Sequence, residues 1–525
     1  MEELTFHRLL LRVREQKPEQ TLFVSDDLEY SAAAHIDSTL RLLSSLTSMG
    51  AKPGDRVGIL AGPSALFMNV LHATALGRII GVPLNIRLNT VELAAALRDS
   101  SPSVLAVDSE HLALARGALE IAGIDTQVIL LTPADSEQPL LTVEELIAAG
   151  DATVPDEPRE DDGLLMLFTG GTTGRSKGLV ATNRQLVLSL HRAEFQFQIS
   201  TPGSTQMSVN PLFHIGAISA CWAFPAFGGN VVLRPSFDPS QVLDDAKAYN
   251  ITHLPAVVSI LQRILEHPRF SPDHFPALRY ITYGASPISP DLLRQVRGAF
   301  RNVKLEQSYG MTELFGSATQ LSTEDHLRGD KWLKSVGRAL PGVRIACRDS
   351  EGAEVPRGTV GEVCVEAASV VLRPWTEAGT PVDGEPFLRT GDLGRMDDEG
   401  YLFLMDRAKD MIKTGGENVY SIEVEEVLLQ HPDIHDVAVV GLPDPIWGER
   451  VHAEVVPAPG KNATLEADEV IAFAREHLSR YKVPKTITIR TEPLPRSAIG
   501  KLLKRVVREE AQQRYDQEAV AQNLS

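Results

Sequence analysis

The sequence predicts an α/β protein in two parts: a large N-terminal domain of helix-covered β-sheets and a small, mobile α+β domain at the C-terminus. Three observations predict it. Short apolar runs alternate with helical stretches over the first 400 residues or so, and the texture changes after Tyr401. The 525 residues are also long enough for more than one folding unit, at roughly 150 residues each. Strand–helix–strand alternation means parallel sheets covered by helices.

The elements follow in order. Near the N-terminus Leu9, Leu10, Leu11 and Val13 read as the inner face of an amphipathic helix, and the Glu, His and Arg around them interrupt the apolar run a signal peptide needs. RVGILA (56–61) reads as a strand, 63–80 as a mostly buried helix, and GVPLNI (81–86) as a turn into another strand. The pattern repeats with a strand at 103–107, a helix at 112–121 and a strand at 127–131, and the apolar run 164–168 is a further buried strand. Beyond Tyr401 the β-like runs at 437–440, 451–456 and 486–490 are short, with one helix at 466–480. Between the two textures lies a charged segment, MDRAKD, too short for a flexible linker. The expected organisation is therefore a domain over 1–405, a hinge at 406–410 and a second domain over 411–525.

Composition narrows the function. Apolar residues at 43% and charged residues at 23% exclude disorder and fibre. A net charge of −18 argues against nucleic acid as the partner, because such binding draws on Lys and Arg neutralising phosphates. It leaves room for small anionic ligands held by local donors. The three cysteines match no zinc spacing and suit a reducing compartment. No window approaches a membrane span. The expectation is a cytoplasmic protein with small-molecule partners.

The chemistry is carried by short motifs. FTGGTTGRSKG (168–178) follows the 164–168 strand. Gly170, Gly171 and Gly174 free the backbone to curl around a phosphate chain, Thr169, Thr172 and Thr173 add hydroxyl donors, and Lys177 adds positive charge. It is not a Walker A loop, since Gly178 rather than Ser or Thr follows the lysine. Further along come NPLFH (210–214), YGASP (283–287), QSYGMTE (307–313), RTGD (389–392), DRAKD (406–410), GGEN (415–418) and PRSAIGK (495–501).

This ordered series resembles the adenylate-forming superfamily of acyl-CoA synthetases, luciferases and peptide-synthetase adenylation domains, and is most like bacterial acyl-CoA synthetases. The resemblance runs from about residue 50 to 505. It implies an enzyme that joins a carboxylic acid to ATP, with Mg²⁺, giving acyl-AMP and pyrophosphate, and then transfers the acyl group to CoA. Thr169 to Gly174 and Lys177 are then the phosphate loop, and Gly284, Ala285, Ser286, Ser308, Tyr309, Gly310 and Met311 surround the adenine. Asp392 and Arg407 hold the ribose, Thr312 donates to the α-phosphate, and Glu313 with Thr172 serves the metal. Glu313 is a hard oxygen ligand suited to Mg²⁺. Lys501 is the catalytic cation, bridging the attacking carboxylate and the α-phosphate where two anions must meet. His214, Ala217, Ala285 and Gly316 line the acyl pocket, small enough to leave room for a ring or a medium chain. Lys409 is the pivot of a rotation that withdraws Lys501 and brings in a CoA tunnel built from Arg87, Gly415, Gly416, Glu417 and Trp447. Two departures stand out: Gly170 replaces a common Ser, and Ser176 a common Pro.

The acceptor stays open at this stage, because some superfamily members pass the acyl group directly to an amine. A non-catalytic nucleotide-binding relative is disfavoured by the joint presence of Glu313, Asp392, Arg407 and Lys501.

Overall fold

The computed structural model describes residues 3–133, 140–169, 177–284, 288–370, 387–415, 417–460, 465–496 and 502–523. Its chain divides into two compact units: Met1–Leu333, Gly337–Arg344 and Glu366–Leu388 make the first, and Lys334–Val336, Ile345–Val365 and Arg389–Ser525 the second.

The first unit is built on two sheets. In one, the strands Gln127–Leu130, Val104–Val107, Arg56–Leu60, Ile80–Pro83 and Gly163–Thr169 run parallel, and Lys177–Thr182 closes the edge antiparallel. In the other, six parallel strands (Lys304–Met311, Tyr280–Gly284, His253–Pro255, Thr205–Ser208, Asn230–Leu233 and Thr21–Ser25) are flanked by antiparallel strands at both edges. The alternation in the sequence thus reflects parallel crossovers. The helix Ala65–Leu76 begins at Ser64, whose side chain accepts from the Phe67 N–H, and every residue from Phe67 to Leu76 is buried. It stops short of the expected residue 80 because Gly77 ends it and Arg78 turns to φ +58°, leaving Ile80 to open the next strand. One core joins this helix to Ala32–Ser48, Ile215–Ala226 and both sheets, with Phe6, Phe23, Trp222 and Phe224 at its centre. Each buried Phe contributes roughly 1.5–3 kcal/mol by area alone. The N-terminal helix Phe6–Gln16 enters that core through Phe6, Leu10 and Val13, while Leu9 and Leu11 are only partly buried.

The second unit holds the strands Leu388–Met396 and Leu402–Arg407, paired antiparallel, and a five-stranded sheet. In that sheet Ile434–Asp444 and Gly448–Pro457 form a hairpin of eleven- and ten-residue strands, where the sequence suggested short ones. The helices Ser421–Leu428, Ala467–His477 and Lys504–Asn523 accompany it. Among the described residues no helix is long and apolar enough to cross a membrane.

Candidate active site

Parallel strands place ligand-binding groups at their carboxyl ends, and the predicted residues of the first unit gather there. Thr169 ends one strand and Lys177 begins its antiparallel neighbour, and the two face each other as Cα partners. Gly284 ends the strand Tyr280–Gly284 and lies opposite Ser308 on Lys304–Met311. A Cβ on Gly284 would fall 2.4 Å from the Ser308 carbonyl oxygen, and one on Gly310 would fall 2.2 Å from the Gly316 carbonyl oxygen. These contacts require glycine because no real Cβ survives such distances. Tyr309, Gly310 and Met311 complete the strand, Thr312 and Glu313 occupy the 3₁₀ turn Thr312–Leu314, and Gly316 starts the return strand.

Beside this edge, Asn210 follows the strand Thr205–Ser208 and donates from Nδ2 to the Pro255 carbonyl at 3.0 Å. His214 caps the helix Ile215–Ala226, on which Ala217 is buried, and its ring packs against Phe213 with centroids 4.4 Å apart. Burial pushes the His214 imidazole down to about 4, and the Arg87 charge adds to the effect, so a predicted acceptor residue and a predicted acyl-pocket residue are neighbours. Three buried polar atoms here have no partner among the described residues: Asn210 Oδ1, His214 Nε2 and Ser308 Oγ. Orphaned buried polar atoms carry a desolvation penalty of about 1–3 kcal/mol each unless a ligand or water meets them.

In the second unit Asp392 and Arg407 are cross-strand partners, with Arg407 Nε 3.3 Å from Asp392 Oδ1 and Asp392 buried. The segment carrying Asp392 is tied down: Thr390 Oγ1 donates to the Val363 carbonyl and accepts from the Asp392 N–H, and Gly391 N donates to Glu362. Lys409 is exposed in the turn after Arg407, where Asp410 N and Met411 N both donate to the Arg407 carbonyl. Gly415 N donates to the Trp447 carbonyl at 2.8 Å and Gly415 lies against the indole, which is half-exposed; Glu417 is exposed one step further on the hairpin. Gly170, Gly171, Thr172, Thr173, Gly174, Ala285, Ser286, Gly416 and Lys501 lie outside the described residues.

Sequence reasoning missed three residues that hold the Glu313 turn. Ser189 and Arg192, on the helix Asn183–Phe197, and Ser369 all bond carbonyls of that turn.

Residues 10–373 match the AMP-binding enzyme family, and residues 423–501 match the AMP-binding enzyme C-terminal domain. A feruloyl-CoA synthase of an Amycolatopsis species is 34% identical over 472 residues, covering 89% of this chain and 91% of that protein. The o-succinylbenzoate CoA synthetase of Bacillus subtilis, solved with ATP and magnesium, superposes with a TM-score of 0.81 at 28% identity over 95% of this chain and 98% of its own. The amide bond synthetase McbA of Marinactinospora thermotolerans does so with a TM-score of 0.84 at 28% identity, over 96% and 99%. With glycine-lined strand ends, orphaned polar groups and both domains matched in order, this chain belongs to the AMP-binding enzymes, the adenylate-forming family of acyl-CoA synthetases and related ligases.

Proposed function

We propose that the protein is an AMP-forming acid–CoA ligase acting on an aryl or medium-chain carboxylic acid. A carboxylate oxygen attacks the α-phosphorus of ATP and pyrophosphate leaves; a CoA thiolate then attacks the acyl carbonyl and AMP leaves. The observation that carries the reading is the set of buried polar atoms without a partner among the described residues: Ser308 Oγ, opposite Gly284 where a side chain has no room, and Asn210 Oδ1 and His214 Nε2 on the segment that follows the strand Thr205–Ser208. Such a site suits a flat, hydrogen-bonding ligand.

Roles follow from chemistry. Asp392, held by its own backbone and by Arg407, accepts from the ribose hydroxyls. Tyr309 offers a ring face to adenine, and Ser308 Oγ a hydroxyl. Glu313 and Thr172 would hold Mg²⁺, which supplies charge neutralisation for the triphosphate. Thr312 donates to the α-phosphate, and Lys501 balances the charge that builds as the anhydride forms. His214, neutral above pH of about 4, closes the acyl pocket with Ala217 and Gly316 without adding a competing cation. Lys409 is the pivot between the two half-reactions, and Arg87, Gly415 and Trp447 receive CoA. An aryl acid is supported by the likeness to a feruloyl-CoA synthase and by the small residues Ala217 and Gly316. A second reading, transfer to an amine, is favoured by the likeness to McbA.

The test is ATP–pyrophosphate exchange over a panel of cinnamic, arylacetic, benzoic and C6–C12 fatty acids. Exchange strictly dependent on one of these classes is expected. Exchange with none of them, from folded protein in MgATP, would sink the reading.

A further inference from the structure

The strand Lys304–Met311 leads into the turn Thr312–Leu314, and the chain leaves that turn on an unusual path. Phe315, fully buried, has φ +49°, in the left-handed region side chains rarely adopt, and Gly316 follows at φ +144°. That conformation is unfavourable for a non-glycine residue, and such strain persists only where the surroundings over-determine it. Here the surroundings are one face of the helix Asn183–Phe197, where Ser189 and Arg192 stand three residues apart. Ser189 Oγ donates to the Phe315 carbonyl. Arg192 Nη2 donates to Ser369 Oγ at 2.7 Å and reaches the Leu314 carbonyl at 3.5 Å, while Ser369 Oγ donates to that same carbonyl at 2.9 Å. The fit is close: a Cβ on Gly316 would lie 2.6 Å from Ser189 Oγ and 3.9 Å from Arg192 Nη2.

Arginine is a demanding residue for this task. It is 9% exposed, its Nε has no partner among the described residues, and burial draws its pKa down to about 10, so it stays charged at neutral pH. Among the described residues no carboxylate is paired with it. A neutral donor would bond the same oxygens without the desolvation of a cation. The buried charge meets the strained backbone at the peptide joining Leu314, which follows Glu313, to Phe315.

We propose that Arg192 is a positioning residue for Glu313: with Ser369 it fixes the Leu314 carbonyl, and so the turn that presents the Glu313 carboxylate to the metal of the bound nucleotide. This rests on the reading of Glu313 as a magnesium ligand. Outer groups that orient a metal ligand typically change metal affinity by about 10–100-fold when removed.

The experiment measures binding without turnover, using Mn²⁺ as the probe and α,β-methylene-ATP as the nucleotide, read by electron paramagnetic resonance and calorimetry. Arg192→Met should weaken Mn²⁺ in the ternary complex by about tenfold or more and leave metal-free analogue binding nearly unchanged. Arg192→Lys should recover part of the loss, and the double variant with Glu313→Gln should bind no more weakly than Glu313→Gln alone. Parental Mn²⁺ affinity in Arg192→Met, alongside a weakened Glu313→Gln, would overturn the proposal while leaving the metal ligand intact. An unweakened Glu313→Gln would overturn the metal-ligand reading and the proposal with it. If Arg192→Met does not fold, Ser369→Ala removes one donor to the Leu314 carbonyl and should shift Mn²⁺ affinity in the same direction; no shift would overturn the proposal.

Discussion

Asp392 is held from several sides by its neighbours. Its N–H is bonded to Thr390, its carboxylate lies 3.3 Å from Arg407, and it is 7% exposed, so the carboxylate is presented in one orientation. A hydrogen bond to a charged acceptor contributes about 1.5–3 kcal/mol, so Asp392→Ala should raise the Michaelis constant for ATP by roughly 10–100-fold. It should also erase the preference for ATP over 2′-deoxy-ATP. Steady-state exchange kinetics with both nucleotides check this, and an undiminished preference would remove Asp392 from the ribose site. Asp392, Arg407, Tyr309 and Glu313 could be named as candidates from the sequence because each stands in a contiguous motif that resembles one of the family's. Arg192 could not. In LVLSLHRAEF a single arginine reads as a solvated position, and its partner Ser369 lies 177 residues further along the chain. Only the fold brings such pairs together. A weak signal existed, in that Arg192 follows Leu186, Val187 and Leu190 on a helix whose face is otherwise buried.

The elements that were read well are those with one clear period or one clear stop. The parallel strands Arg56–Leu60, Val104–Val107 and Gln127–Leu130 are apolar runs bounded by helices, and they fall where the pattern placed them. The long hairpin of the second unit was read as short runs because Gly441 and Pro443 interrupt it. Pro443 lies on Ile434–Asp444, which among the described residues is an edge strand of its sheet, the place where proline is tolerated. Pairing along the whole length then overrides local propensity. The strand pair that carries the site is less forgiving. Gly310→Ala would set a methyl 2.2 Å from a backbone oxygen of the neighbouring strand, so the strands must part. We expect a loss of about 1–3 kcal/mol together with most of the exchange activity. At Gly298, in the helix Pro290–Ala299, an added methyl would meet nothing within 4 Å, and Gly298→Ala should gain about 0.5–1 kcal/mol instead. Thermal unfolding of the two variants side by side tests whether the close approach, rather than loss of glycine itself, sets the sign.

At the scale of the molecule, two properties depend on groups spread over a whole unit. The first is acid sensitivity. Burial pushes His35 down to about 3 and His214 and His253 to about 4, and lowers His72 as well, all in the first unit. Below their ordinary value of 6.5 these histidines take up protons in the unfolded chain before the folded one, so stability rises with pH between about 4 and 6.5. Buried Glu306, shifted upward, acts in the opposite sense, but it is one group against these four together with His7 and His326, which burial also lowers. Denaturant midpoints of the first unit should therefore climb from pH 4.5 to 6.5, and a flat or falling series would contradict the buried neutral histidines. The second property is the choice of acceptor. Acyl-AMP is a reactive anhydride, and whichever nucleophile reaches its carbonyl is acylated; adenylation residues are common to both outcomes. CoA brings several negative phosphates to a chain of net charge −18, so it needs local cations. Near the expected tunnel, Lys485 stands 5.9 Å from the Trp447 ring, while Lys482 is already paired with Glu423 at 2.5 Å. Arg87, whose charge acts on His214, is the cation expected to meet CoA from the first unit. Within the second unit Gly415 packs on the Trp447 indole, an apolar surface of the kind a pantetheine arm requires and an amine acceptor does not. We therefore expect the thioester. Once an acid supporting exchange is found, it is incubated with ATP and either CoA or a mixture of amino acids, and the products are identified by mass. Thioester with CoA, and only slow amide formation without it, is the expected result. A stable amide formed efficiently in the absence of CoA, with no thioester in its presence, would assign the chain to the amide-forming branch.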